Sequence, residues 1–290
     1  ASTRKTYMRW AEEFSRELAE SGWSITEDVL IDFACELYLQ NRGGCARQAV
    51  CGVRAMLAPK LKLNETRAIC EGLSAQWRAE GGGRSQRDLM PRDALLKFAT
   101  CRPKGYKEWD WIRDRALALV CTRLMLRPGE ARALNMTDLK WNHDGANRGW
   151  AWFRIIQKKN DQFGDEGLKK WTPIEPSLGD ASTLKALREW IALRGSHEGF
   201  MWCRKDGTLI SADHINQLAK TIAAHSNLSG VFSGYSFRIA GATLGAAGGM
   251  SIATIQAVGG WKSEAVLRYL RGMGAAVEGA SSRIGSSLEG

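Results

Sequence analysis

SGYSFRIAGATLGAAGGMSIATIQAVGGWKSEAVLRYLR, residues 233–271, is the stretch on which the fold turns. Its middle, Ile239 to Gly260, runs 22 residues without a charge, enough to pass a crude length test for a membrane span. Composition argues otherwise: six glycines, several Ser and Thr and Gln256 leave too few Leu, Ile or Phe for a lipid-facing helix. Gly248-Gly249 followed by Ser251 reads as a stop and a restart, which predicts two short buried helices over about 236–247 and 251–258. Ser233 or Ser236 can cap the first, and its run of Ala and Gly lets another helix approach closely. Arg238 enters this small-residue helix, where a guanidinium must find anions or carbonyls because an unpaired buried one is costly. A further helix is predicted over 262–271. Trp261, Ala265 and Tyr269 share one of its faces at i, i+4, i+8, a spacing that by itself describes packing, yet Tyr269 stands beside Arg268 and near Arg271.

Working back from this stretch, periodicity predicts helices over about 4–17, 27–40, 45–57 and 64–79, then 91–100, 110–126, 180–194 and 211–226. Thr26 is placed to cap the second. The polar, glycine-rich EGGGRSQRD, residues 80–88, is the best boundary, which gives a helical module over 1–80, a linker over 81–88 and a second module over 89–290. Within the second, GWAWFRIIQ (149–157) and LKKWTPI (168–174) are rich in aromatic and β-branched residues and flank a polar turn. The fold class expected is mainly α with a small β-sheet (α+β).

Composition narrows the function. The chain of 290 residues carries a formal net charge of +10, which fits either a solvated surface or a polyanionic partner. Seven scattered cysteines without a CxxC pair read as reduced, buried thiols of a cytosolic or nuclear protein. Four isolated histidines give no metal site, the polar start ASTRKTYMRW gives no signal peptide, and no GxxxxGK[ST] loop is present.

Arg127-Pro128-Gly129-Glu130 places an arginine at a helix start, with Glu130 in the first turn where a carboxylate is favourable. Taken alone this is a helix connection with a capping Glu. The order of the pieces carries more. TRLMLRPGEARAL, QKKNDQ, YSFR, GGWK and RYL follow one another as do the boxes T-G-L-R-x-x-E-L, a hairpin Lys, H-x-x-R, H/W and Y of the tyrosine recombinase (phage integrase) family. The chain resembles that family over roughly 90–272, its end looks Cre-type, and 1–80 is similar to the family's helical core-binding domain in general shape.

The resemblance implies a catalytic set of Arg127, Glu130, Lys159, Tyr235, Arg238, Trp261 and Tyr269. Arg127 and Arg238 would give paired N–H donors to the non-bridging oxygens of a DNA phosphate. Tyr269 would be the nucleophile and form a 3′-phosphotyrosyl link. Lys159 would protonate the departing 5′ oxygen, with Lys158 one residue away as the alternative. Trp261 would donate an indole N–H to the phosphate, and Glu130 would organise the arginines. Neither a metal nor another cofactor is implied.

Two departures stand out. Tyr235 occupies the family's usual His position, and tyrosine is a poor base at neutral pH. The Trp-to-Tyr interval is one residue shorter than in Cre-type enzymes. The partner implied is double-stranded DNA with a specific site, gripped by a homo-tetramer, with no membrane involved and a location with the DNA, cytoplasmic or nuclear. Arg42, Arg47, Arg54, Arg84 and Arg87 are candidate backbone contacts, and 45–57 is the candidate groove-reading helix. The alternatives are a type IB topoisomerase, which shares the Arg/Lys/Tyr chemistry, and a DNA-binding protein of the same fold that has lost turnover.

Overall fold

A computed structural model describes residues 2–22, 24–82, 87–142, 149–155, 171–176, 182–261, 266–267 and 270. The chain divides into two compact units, Ala1–Ser85 and Gln86–Gly290. The predicted linker falls partly on 83–86, outside the described residues. Its end is attached to the second unit: Asp88 donates its N–H to the Val231 carbonyl at 3.0 Å, and its Oδ2 accepts from the Val231 N–H at 2.8 Å.

Among its described residues the first unit has four α-helices: α1 (Ser2–Ser21), α2 (Glu27–Leu39), α3 (Ala46–Leu57) and α4 (Thr66–Ala79). Leu30, Phe33, Ala34 and Leu37 keep helical spacing on α2 and are buried, packing with Trp10 and Phe14 of α1 and Ala49, Val50 and Val53 of α3. Thr26 caps α2 as expected, its Oγ1 accepting from the Val29 N–H at 3.3 Å.

Glu27, in the first turn of α2, serves a second helix. Its Oε1 accepts from the N–H groups of Asn64, Glu65 and Thr66 and from the Thr66 hydroxyl, at 2.6–3.0 Å, and so satisfies the orphan donors at the start of α4. The Thr66 hydroxyl first, then these backbone donors, hold its carboxyl down from 4.5 to about 2. A depressed pKa means that the contribution is complete above the unfolded value and fades as the pH falls toward about 2. Acidification through that window is expected to loosen the start of α4, and Glu27→Gln to do so already at neutral pH. Amide exchange of residues 64–68 reads both.

The second unit is built around α6 (Glu108–Arg123), where every residue from Ala116 to Thr122 is buried. Helices α5 (Arg92–Thr100), α8 (Ser182–Arg194), α9 (His214–His225) and α10 (Gly234–Ala247) pack on it. Gly241 makes the α6–α10 approach possible, since a Cβ there would sit 2.1 Å from the Thr122 carbonyl oxygen. A three-stranded antiparallel sheet, β1 (Leu139–Asn142), β2 (Trp150–Arg154) and β3 (Trp171–Ile174), lies in strand order, with Phe153 opposite both Leu139 and Thr172. Ala151, Phe153 and Ile174 face the core. Strand β1 is an addition to the predicted hairpin.

The uncharged stretch folds as the glycines require. α10 ends at Gly248, Gly249 takes φ +83°, and Ser251 caps α11 (Ile252–Gly259) by accepting from the Thr254 N–H at 3.1 Å. Among the described residues no helix is long and apolar enough to cross a membrane. The cysteines correct one expectation: all seven are free thiols, but Cys45, Cys51 and Cys101 are exposed, and only Cys70, Cys121 and Cys203 are buried.

A buried ionic cluster ties the unit together. The Arg113 guanidinium donates to both oxygens of Asp114 at 2.8 and 3.1 Å, contacts Asp110 at 3.0 Å and reaches the Cys203 carbonyl. Asp114 also accepts from the Tyr106 hydroxyl at 2.7 Å and pairs with His214 of α9 at 2.8 Å. Burial pushes its pKa up, but the bonds from His214 and Arg113 outweigh this and hold it below the ordinary carboxylate value.

Candidate active site

The site forms where α6 stops. Leu124 closes the helix, and Met125 follows at φ +50°. Its N–H bonds to the Thr122 carbonyl, and the Leu126 N–H reaches back to the Cys121 carbonyl at 3.0 Å, a Schellman closure with methionine where glycine is usual. The chain then turns at Arg127 into the one-turn helix α7 (Pro128–Arg132). Pro128 presets the first helical φ, and Glu130 reaches back as a cap. Its Oε2 accepts from the Arg127 backbone N–H at 2.8 Å and its Oε1 from Arg127 Nη1 at 2.5 Å, so one carboxylate fixes both the backbone and the guanidinium of Arg127.

Arg238, in α10, meets the same turn. Its Nη1 donates to the Met125 carbonyl, while the guanidinium lies 3.6 Å from the centre of the Trp261 ring. α10 is brought here by its first residue: a Cβ on Gly234 would fall 2.7 Å from Pro128 Cγ. Its start is fixed by Ser236 Oγ, which accepts from the Ser233 N–H, and by Asn216, which accepts from the Gly234 N–H. Arg127, Glu130, Arg238 and Trp261 therefore surround one turn.

Tyr235 is half-buried one turn before Arg238, and the Arg87 guanidinium stands 4.7 Å over its ring. Arg87, singled out as a backbone contact in the linker, is thus a neighbour of the Y-x-x-R box. Sequence offers no signal for that meeting, because 148 positions separate the two residues.

Met125 joins the turn to the chain end. It is 3% exposed and clusters with Ala242, Ile255, Val266 and Leu270. Val266 and Leu267 lie in a 3-10 turn where a longer helix over 262–271 is expected. Tyr269, Lys158, Lys159 and Arg84 lie outside the described residues.

In the first unit, Arg42 donates to Glu13 at 2.5 and 3.0 Å and covers the Trp10 ring at 4.9 Å, so its guanidinium is engaged within the unit. Arg54 donates Nε to the Leu61 carbonyl, and Arg47 pairs with Glu71 at 3.1 Å while staying exposed. Among the described residues no group of three His, Cys, Asp or Glu could hold a metal ion.

Two arginines on one turn, a carboxylate orienting one of them and an indole against the other fit a site for a phosphodiester. Residues 94–271 match the model of the phage integrase family, and the chain belongs to that family, the tyrosine recombinases. No curated protein matches it. Solved structures agree in fold. The XerH site-specific recombinase bound to palindromic difH substrate, a post-cleavage complex, superimposes with a TM-score of 0.61 at 15% identity, over 89% of this chain and 72% of that one. A lambda integrase tetramer bound to a Holliday junction gives 0.56 at 16% identity, over 91% and 70%. The Tn1549 transposon integrase in complex with circular intermediate DNA gives 0.56 at 13%, over 85% and 81%.

Proposed function

We propose that this tyrosine recombinase is an active DNA strand transferase that cleaves and rejoins a specific duplex site through a 3′-phosphotyrosyl intermediate. The observation that carries the reading is the convergence of Arg127 and Arg238 on the turn Met125–Pro128, with Glu130 fixing the first. Their guanidiniums neutralise the phosphate and stabilise the charge of a pentacoordinate transition state. Tyr269 gives its phenolic proton to water, a loss favoured by the neighbouring cations, and the phenolate oxygen attacks phosphorus; the bond to the 5′ oxygen breaks, and Lys159 or Lys158 supplies the proton to that oxygen. Reversal with a new 5′ hydroxyl rejoins the strands. The energy of the broken bond is kept in the phosphotyrosine, so no nucleotide is consumed.

Arg238 is 1% exposed in this state, with Trp261 on its face. A phosphate gains the second arginine when the indole turns aside, and the indole N–H is then positioned to donate to it. Tyr235 can donate a hydrogen bond there but does not act as a base at neutral pH. Arg47, Arg54, Arg84 and Arg87 serve as duplex backbone contacts, and Arg42, held by Glu13, positions the helices around it. Four copies assemble on two sites.

The test is a pool of nicked duplexes carrying a randomised stretch, resolved under denaturing conditions after incubation. A sequence-restricted covalent adduct is expected. Binding that enriches a site yet leaves no adduct sinks the catalytic reading, and relaxation of arbitrary supercoiled plasmid moves it to a topoisomerase. On the selected site, Arg238→Lys is expected to slow single-turnover cleavage about 10²–10³-fold with little change in affinity, because an ammonium lacks the planar two-donor fork.

A further inference from the structure

The outer face of the three-stranded sheet has no part in the site above. Strand alternation turns Ala151, Phe153 and Ile174 into the core and places Lys140, Trp150, Trp152, Arg154 and Trp171 on the opposite face. Three tryptophans on the solvent side of a small sheet need a reason, because such positions are ordinarily polar. None of the three packs against the core cluster, and each is half-buried rather than enclosed. Trp150 and Trp152 stack at 5.9 Å with 23° between planes. Two cations stand near the Trp171 ring, Lys140 Nζ 4.6 Å and the Arg154 guanidinium 5.5 Å from its centre.

Among the described residues the charges on this face point one way. None of the strand residues on it is a carboxylate. Among the described residues an acid reaches it from beneath: Asp138, 3% exposed, accepts from Arg154 Nε and contacts Nη2, each at 3.1 Å, which fixes that guanidinium beside Trp171. The result is a stacked indole pair and a third indole on the same face, with an exposed lysine and an arginine held by Asp138 beside the third.

We propose that this face is a stacking platform for unpaired bases of single-stranded DNA. Base–aromatic stacking combined with cations along the backbone is how sequence-tolerant single-strand sites are built. A duplex keeps its base faces covered, so the same tryptophans give it little. An acidic protein partner would be drawn by Lys140 but would not require bases. The proposal rests on the recombinase reading only for the source of the strand, since cleavage frees a 5′ end that must be held until it is exchanged.

The test compares a fluorescein-labelled oligo(dT) with an abasic oligonucleotide of equal length, which has the same charge and no bases. By anisotropy the full chain is expected to favour oligo(dT) by about tenfold or more. Trp152→Leu and Trp171→Leu are each expected to shrink that ratio severalfold and to leave abasic affinity unchanged. Equal affinity of the wild type for the two probes overturns the platform, as does an undiminished ratio in both variants, and a protein-docking face would give those results. Circular dichroism confirms that each variant is folded. Adduct formation on the nicked duplex is read separately, so loss of the platform and loss of the recombinase reading are distinguishable.

Discussion

Tyr269→Phe is expected to bind the selected duplex as tightly as the wild type and to leave no covalent adduct with it. The substitution removes one oxygen and keeps the ring, so packing and charge are preserved while the atom that would join phosphorus is gone. Loss is total rather than graded, which separates it from the arginine variant, where the nucleophile remains and only transition-state stabilisation falls. The measurement pairs a gel shift with denaturing electrophoresis on the same sample. An adduct that persists in Tyr269→Phe assigns the nucleophile to another residue. Affinity that falls with it assigns Tyr269 to DNA binding.

The second large effect is on stability. Asp114→Ala is expected to destabilise the second unit by about 3–5 kcal/mol, because it leaves the Arg113 guanidinium, 2% exposed, without its bidentate partner. Tyr106 and His214 lose their acceptor in the same step. For a unit of this size the melting temperature is expected to fall by on the order of 10 °C. The pH dependence of the wild type has a defined sign. Asp114 is held below its ordinary pKa, so its contribution is complete above the unfolded value near 3.9 and is lost as acid protonates it in the fold. Removing both charges, as in Arg113→Met with Asp114→Leu, is expected to be much milder than Asp114→Ala alone. Calorimetry on the three chains checks the order. Equal losses for the single and double variants would mean that the cluster stabilises through attraction rather than through the penalty of an orphaned charge.

How far the sequence could be read follows the range of the interactions. Helices of the first unit were legible because residues such as Leu30, Phe33 and Leu37 advertise their face locally, and Thr26 marks the start. The break at Gly248-Gly249 was legible for the same reason, as was Glu130 as the cap in the first turn after Pro128. The end of α6 was not. The sequence predicts helix to about residue 126, but it stops at Arg123, because Met125 adopts the left-handed conformation that normally announces itself as glycine. Strand β1 was hidden too: four residues, Leu139–Asn142, carry a weak alternation and owe their conformation to β2. The Arg113–Asp114 cluster draws partners from Tyr106 to His214, a meeting that only the fold decides.

Met125 has a consequence for how substitutions will propagate. Its main chain grips Arg238, and its thioether side chain packs with Val266 and Leu270, which bracket Tyr269 in the sequence. The anchor of Arg238 and the seat of Val266 and Leu270 thus share a single pivot. Enlarging or shrinking that one side chain is expected to displace both together, so suppressors of a Met125 defect belong at Ala242 or Ile255, across the cluster.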